Sequence, residues 1–311
     1  MMPASELVIG TRGSWLALAQ TEIASVALFE AEPSLRVRVE RIVTTGDVRT
    51  DLPLSELGRG IFVSEIERAL LDHTIDVAVH SAKDLPSTLD SRLLIGAYLP
   101  RADARDVLVA REGSLATLAP GARVGTSSPR RMCALRALRP DLVPVEIRGN
   151  VDTRLRKLSD GEVDALLLAG AGLQRLGRAA EASEWLDLEI VIPCVGQGAL
   201  ALEARANDDR VLSLLERIDD LPTRIAVTAE RAFLAELGAG CRAAAGAHAR
   251  MGPESSLRLQ AFIGTISGEH IRAERVQNGE TPEDLGRSLA RTLLAAGGRE
   301  FLQQADGPPV S

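Results

Sequence analysis

A chain of 311 residues, 45% hydrophobic and 25% charged, is long for one core and has the make-up of a globular protein of two or three domains. A net charge of −7 argues against general binding to nucleic acid or to an anionic membrane surface, and no apolar run approaches the length of a membrane span. Cysteines at 133, 194 and 241 form neither a CxxC pair nor a disulfide framework, and no basic-then-apolar leader opens the chain, so a reducing cytoplasm is expected.

The first strand is expected over Leu7–Thr11, then the turn Arg12-Gly13-Ser14, with Ser14 capping a helix from Trp15. Val37 and Val39 alternate with Arg38 and Glu40 in a second strand running to Val43. Gly58-Arg59-Gly60 precedes a helix with Phe62, Ile66, Ala69 and Leu70 on one face. Asp76–His80 is the next strand. It ends in Ser81, Lys83 and Asp84 before Pro86 stops the regular backbone, and Leu93–Ala97 follows as another strand. Strands alternating with helices predict a largely parallel sheet.

The pattern restarts near residue 100. Arg123–Gly125 is a strand, Thr126-Ser127-Ser128 a turn, and Pro129 opens a helix to about Arg139. Val143, Val145 and Ile147 alternate in a strand ending at Arg148-Gly149-Asn150, and Asp164–Leu168 is a buried strand followed by a helix to Gly177. The phrases Ile-Gly-Thr-Arg-Gly-Ser and Val-Gly-Thr-Ser-Ser-Pro-Arg read as equivalent turns in two similar lobes. Pro193–Gly198 is a glycine-rich crossover that returns the chain to the first lobe. A helix started by Asp219-Asp220-Leu221-Pro222 carries Ile225, Ala229, Phe233 and Leu237 on one side and stops at Gly238-Ala239-Gly240. Strands near 243–250, 257–263 and 270–276 and a helix opening at Thr281-Pro282 complete a small α+β domain. The expected division is 1–100 with 196–219, 101–195, and 220–311.

Several strand ends carry cations or hydroxyls. Arg12, Arg130 and Arg131 lie at strand-to-helix turns, where backbone N–H groups also favour anions, and Arg148, Arg154 and Arg175 follow later strands. Any one of them is more often a surface arginine; together they predict a ligand with several carboxylates or phosphates. Lys83 and Lys157 are the only lysines, so the positive charge is nearly all guanidinium, a fork suited to such groups. Without GxxxxGK[ST], nucleotides are disfavoured. His73, His80, His248 and His270 are scattered without an HExxH, so no protein-held metal is expected. Asp84 is the acid placed among these donors, suited to stabilising a cation or accepting N–H bonds from a ligand. His80-Ser81-Asp84 is not read as a triad, because triads are made in space and not by adjacency. Cys241, in Gly238-Ala239-Gly240-Cys241-Arg242, is a poor setting for a fast nucleophile but adequate for a thiol that reacts once and stays bonded. Cys133 and Cys194 read as inert small residues.

The phrases Ile9–Ser14, Val77–Pro86, Val124–Arg131, Arg148–Arg154 and Pro193–Ala199, with Thr228–Ala232 leading to Gly240-Cys241, resemble the porphobilinogen deaminase (hydroxymethylbilane synthase) family over essentially the whole chain. The resemblance implies two α/β lobes like those of periplasmic binding proteins around a cleft, plus a small α+β C-terminal domain. It implies a dipyrromethane cofactor, bonded to Cys241, on which four porphobilinogen units are deaminated and joined into hydroxymethylbilane for tetrapyrrole and haem biosynthesis. Asp84 would be catalytic. Lys83, Ser81, Thr126, Ser128, Arg130, Arg131 and Arg154 would hold the cofactor, and Arg12, Ser14, Arg148, Arg154, Arg175 and Gln197 the substrate. A cytoplasmic monomer acting on a small molecule is implied, with neither nucleic acid nor membrane as partner. The sequence departs from the family at Ala244 and Ala245, where proline and an apolar residue usually stand. The rival readings are a non-catalytic two-lobe polycarboxylate-binding protein and a lyase forming a Schiff base at Lys83.

Overall fold

The computed structural model describes residues 6–44, 63–238, 244–252 and 256–306. In chain order the strands are β1 Glu6–Thr11, β2 Arg36–Arg41, β3 Val77–Ser81, β4 Leu93–Tyr98, β5 Asp106–Ala110, β6 Arg123–Gly125, β7 Val143–Val145, β8 Ala165–Ala169, β9 Glu184–Trp185, β10 Leu200–Arg205, β11 Ala244–Met251, β12 Leu257–Gly264 and β13 His270–Val276. The helices are α1 Trp15–Ala31, α2 Ser64–Leu71, α3 Pro129–Leu138, α4 Val151–Ser159, α5 Gly170–Arg175, α6 Asp209–Glu216, α7 Leu221–Leu237, α8 Pro282–Leu293 and α9 Arg299–Asp306. The chain separates into two compact units, Met1–Ala102 with Gly198–Arg224, and Asp103–Gln197 with Ile225–Ser311.

The first unit is one sheet in the order β2-β1-β3-β10-β4. β1 runs parallel to β2 and β3, whereas β10 is antiparallel to both β3 and β4. Alternate residues of each strand face opposite ways. On one face Leu7, Ile9, Val77, Val79 and Leu202 pack with Ala24 and Leu28 of α1 and Val211 and Leu215 of α6. On the other, Ala78 and Leu93 pack under Ile66 and Leu70 of α2. Phe62, expected on that helix face, lies outside the described residues.

The second unit repeats the plan in the order β7-β6-β8-β5-β9, with β6 parallel to β7 and β8 and β5 antiparallel to β8 and β9. α3 covers one face through Leu135, and α4 the other through Leu155 and Leu158. The echo between the two glycine phrases is therefore structural. Gly10 in β1 and Gly125 in β6 hold equivalent places, and a Cβ there would come 2.3 Å from Ile75 and 2.7 Å from Leu166. At either place a larger residue would displace the end of that neighbouring side chain.

The second unit also holds the antiparallel sheet β11-β12-β13. The inward row Leu257, Leu259, Ala261 and Ile263 meets Phe233 and Leu237 of α7 and Leu285, Leu289 and Leu293 of α8. Cys133, Ile192, Ala244 and Phe262 form a smaller cluster joining this sheet to α3. The α/β reading with a small α+β portion thus stands. No described helix is long and apolar enough to cross a membrane.

Candidate active site

In the first unit β1 and β3 are parallel neighbours, so their carboxyl ends emerge at one edge of the sheet. Past β1, Arg12 is half-buried and Ser14 caps α1, its Oγ accepting from the Ala17 N–H at 3.2 Å. Past β3 the chain makes a tight turn over Ala82–Asp84. The buried residues Ala82 and Leu85 bracket that turn, and Ala82 N donates to Ala199 O at 3.0 Å. Lys83 and Asp84 are consequently turned outward, Lys83 half-buried and Asp84 exposed. Ser81 accepts a 2.8 Å hydrogen bond from Gln20 of α1, which leaves its own proton to donate elsewhere. His80 points to the opposite face and bonds Glu203, so it forms no triad with Ser81 and Asp84.

In the second unit the parallel trio β7-β6-β8 likewise sends three carboxyl ends to one edge. Beyond β6, Ser128 caps α3 at Arg131 N, while buried Thr126 accepts from Ser128 N at 3.2 Å. Beyond β7, Arg148 pairs with Glu146 at 2.7 Å, and Asn150 caps α4, which carries Arg154. Beyond β8, the short helix α5 ends on Arg175.

Arg130 and Arg131 do not project freely from this edge. Both are buried, and both grip Asp106 at the start of β5: Arg130 at 2.6 Å on one oxygen, Arg131 at 2.7 and 3.0 Å on the other. Gln197, expected to touch substrate, is 1% exposed and donates to Asp106 at 3.0 Å and to Ala104 O at 2.7 Å. Burial pushes the Asp106 carboxyl up, but the two guanidiniums more than reverse this and hold it well below the usual range. Asp106 and the strand that carries it were not read from the sequence. The available signal was an acid heading the apolar run Val107–Ala110 beside a surplus of arginine, since a buried charge demands a partner.

Two cations around one anion leave this corner positive. Nearby, burial and then the charge of Arg131 bring Arg154 down to about 10, and burial alone brings Arg175 to about 10. Arg154 donates Nε to Gly149 O at 2.8 Å, and no carboxylate pairs with it among the described residues. A guanidinium held partly out of water forms stronger hydrogen bonds to carboxylates than an exposed one. Cys241 lies outside the described residues. Cys133 is buried with its thiol pushed up to about 11, as an inert core residue should be.

The family model described as porphobilinogen deaminase, dipyromethane cofactor binding domain, matches residues 7–213, and that described as the C-terminal domain matches 224–295. The chain belongs to the porphobilinogen deaminase family. Porphobilinogen deaminase of Roseiflexus castenholzii is 52% identical over 300 residues, covering 96% of this chain and 99% of that protein. Porphobilinogen deaminase of Brevibacillus brevis is 45% identical over 298 residues, 95% and 96% of the two chains. Likeness to solved structures is slight: a TRAP periplasmic solute binding protein from Desulfovibrio salexigens superposes with a TM-score of 0.44 at 12% identity, over 70% of this chain and 72% of that one. Within the deaminase family the cofactor is dipyrromethane. The strand-end hydroxyls and guanidiniums described above lie inside the cofactor-binding match.

Proposed function

We propose that the carboxyl-end edges of the two sheets carry the porphobilinogen deaminase reaction, in which four porphobilinogen units are deaminated and joined head to tail into hydroxymethylbilane. The observation that supports this most is the set of arginines kept partly from water at the second edge, with Arg154 unpaired by any described carboxylate. A dipyrromethane fits that donor set, because it presents acetate and propionate carboxylates to guanidinium forks and pyrrole N–H groups to an acid. When bound through Cys241 it supplies the pyrrole α-carbon from which the product grows.

The protein's own residues do the rest. Arg154, with Lys83, Ser81, Thr126 and Ser128, would hold cofactor carboxylates, and the positive charge of buried Arg130 and Arg131 would add to their attraction. Arg12, Ser14, Arg148 and Arg175 would orient those of the substrate. Gln197 would act one step behind, through Asp106. Asp84 would accept pyrrole N–H bonds and stabilise the positive charge that develops as ammonia leaves and the new bond forms. The division into 1–100 with 196–219, 101–195 and 220–311, and a cytoplasmic monomer, complete this reading; the separate core beneath β11–β13 supports the third domain.

Intact mass and peptide mapping test it directly. Purified protein should carry a two-pyrrole adduct on Cys241, with Cys133 and Cys194 free. Asp84→Asn should lower kcat by about 10²–10³ with little change in KM. Active enzyme with an unmodified Cys241 would refute the attachment, and a fully active Asp84→Asn would refute the role of the acid.

A further inference from the structure

β3 ends at the turn that bears Asp84, and its last two residues are each fixed by a polar contact, one on each face of the sheet. On the α1 face Gln20 donates to Ser81 at 2.8 Å. On the α2 face His80 Nε2 meets Glu203 Oε2 of β10 at 3.0 Å. His80 is 6% exposed and Glu203 is fully buried. The bond runs diagonally across the ladder, since His80 sits opposite Ala201 and Glu203 opposite Ala78. The pairing of β10 with β4 shifts register between Leu202 and Glu203, a bulge of the kind that re-aims a side chain.

Stability alone does not account for this pair. Glu203 Oε1 and Glu67 Oε1 of α2 are buried without a hydrogen-bond partner among the described residues. Arg205, on the same face of β10, is committed to the carbonyls of Leu70 and Ile75 and to Asp76 and Asp208. Burial and then the Glu203 charge push the Glu67 carboxyl up, with Asp90 adding to the rise and His80 opposing it. A packed apolar pair would hold the same strands at equal or lower free energy. What a directional bond adds is a fixed position.

We propose that His80 and Glu203 are positioning residues for Asp84: their buried bond pins the end of β3 against β10, and so sets where the Ala82–Asp84 turn presents its carboxylate. The inference rests on the reading of Asp84 as the catalytic acid. It makes no contact with substrate necessary for either residue.

The test compares four full-length variants, each scored for melting temperature, adduct mass, kcat and KM. Removing one partner can strand a buried polar group, so the decisive variant is the double apolar replacement His80→Phe with Glu203→Leu, which should fold. It should carry the adduct and lose about 10- to 100-fold in kcat, with KM within about twofold, because a small displacement of a catalytic group costs that much. His80→Gln, which puts an amide N–H where Nε2 stood, should keep most of the turnover, whereas His80→Phe alone should not. A double variant that folds, carries adduct and turns over at the wild-type rate overturns the proposal, as does a loss that merely tracks unfolded or adduct-free protein. Asp84→Asn is run alongside. If it is inactive while the double variant is not, the positioning role fails alone; if it is active, the catalytic reading fails and the inference goes with it.

Discussion

Asp106 is a fully buried carboxylate that stays ionised because Arg130 and Arg131 face it from one helix. The unfolded chain takes up a proton there near pH ~3.9, the folded chain only at lower pH. The triad therefore stabilises the fold above about pH 4 and loses that contribution as the pH falls through the folded value. Asp106→Asn leaves two buried cations without their anion and should cost about 3–5 kcal/mol at pH 7. Urea titrations at pH 7 and pH 3 check this: the gap between wild type and variant should narrow in acid, and equal midpoints at pH 7 would discard the triad as a stabilising unit. Arg154 is the opposite case. Its charge is disfavoured by burial and by Arg131, so Arg154→Met should leave the unfolding midpoint unchanged or raised. The same variant should lose about 2–4 kcal/mol of carboxylate binding, read as failed adduct assembly or a fall in kcat/KM. A variant that is destabilised yet fully active would show that Arg154 serves the fold instead.

At the scale of elements, what could be read from the sequence was what local chemistry dictates. Ser14 caps the helix it was expected to cap, Ser128 and Thr281 cap helices that open where Pro129 and Thr281-Pro282 placed them, and Leu257, Leu259, Ala261 and Ile263 of the strand expected near 257–263 form the inward row of β12. β5 escaped notice because it is buried on both faces, so Asp106–Ala110 shows no alternation. α6 went unread although Asp208 caps it and Val211 and Leu215 share its buried face. β7 stops at Val145, not Ile147, because the Ser127 hydroxyl takes over both backbone groups of Ile147, at 2.5 and 3.2 Å, where a ladder would have continued. The strand-end arginines were legible as a group, but which of them turn inward depended on Asp106. Glu230 of α7 belongs to this scale too. It is fully buried, and its two oxygens accept from Gly196 N at 2.7 Å and Ala249 N at 2.8 Å, tying the 193–198 crossover to β11. Glu230→Leu orphans two buried amides and should lower stability by about 2–4 kcal/mol, Glu230→Gln by less. Equal denaturation midpoints for both variants and wild type would refute the clamp.

Across the whole molecule, the most consequential feature is where β10 falls in the chain. It lies between β3 and β4 in space, yet more than a hundred residues after β4 begins, and β4 has no other strand partner among the described residues. In pulsed hydrogen exchange during refolding, β4 amides should gain protection together with those of β10 and never before them; earlier protection of β4 would mean a non-native pairing. On the ribosome the same placement imposes a wait. At about 5–20 residues per second, β4 emerges roughly 5–20 s before the strand it needs, and until then the edge of β3 stays open to any other extended chain. The bond between His80 and Glu203 cannot form during that interval. The end of the sheet that bears Asp84 is thus among the last parts of the first unit to acquire its final shape, and a nascent chain stalled near residue 195 is where a holding chaperone would matter most.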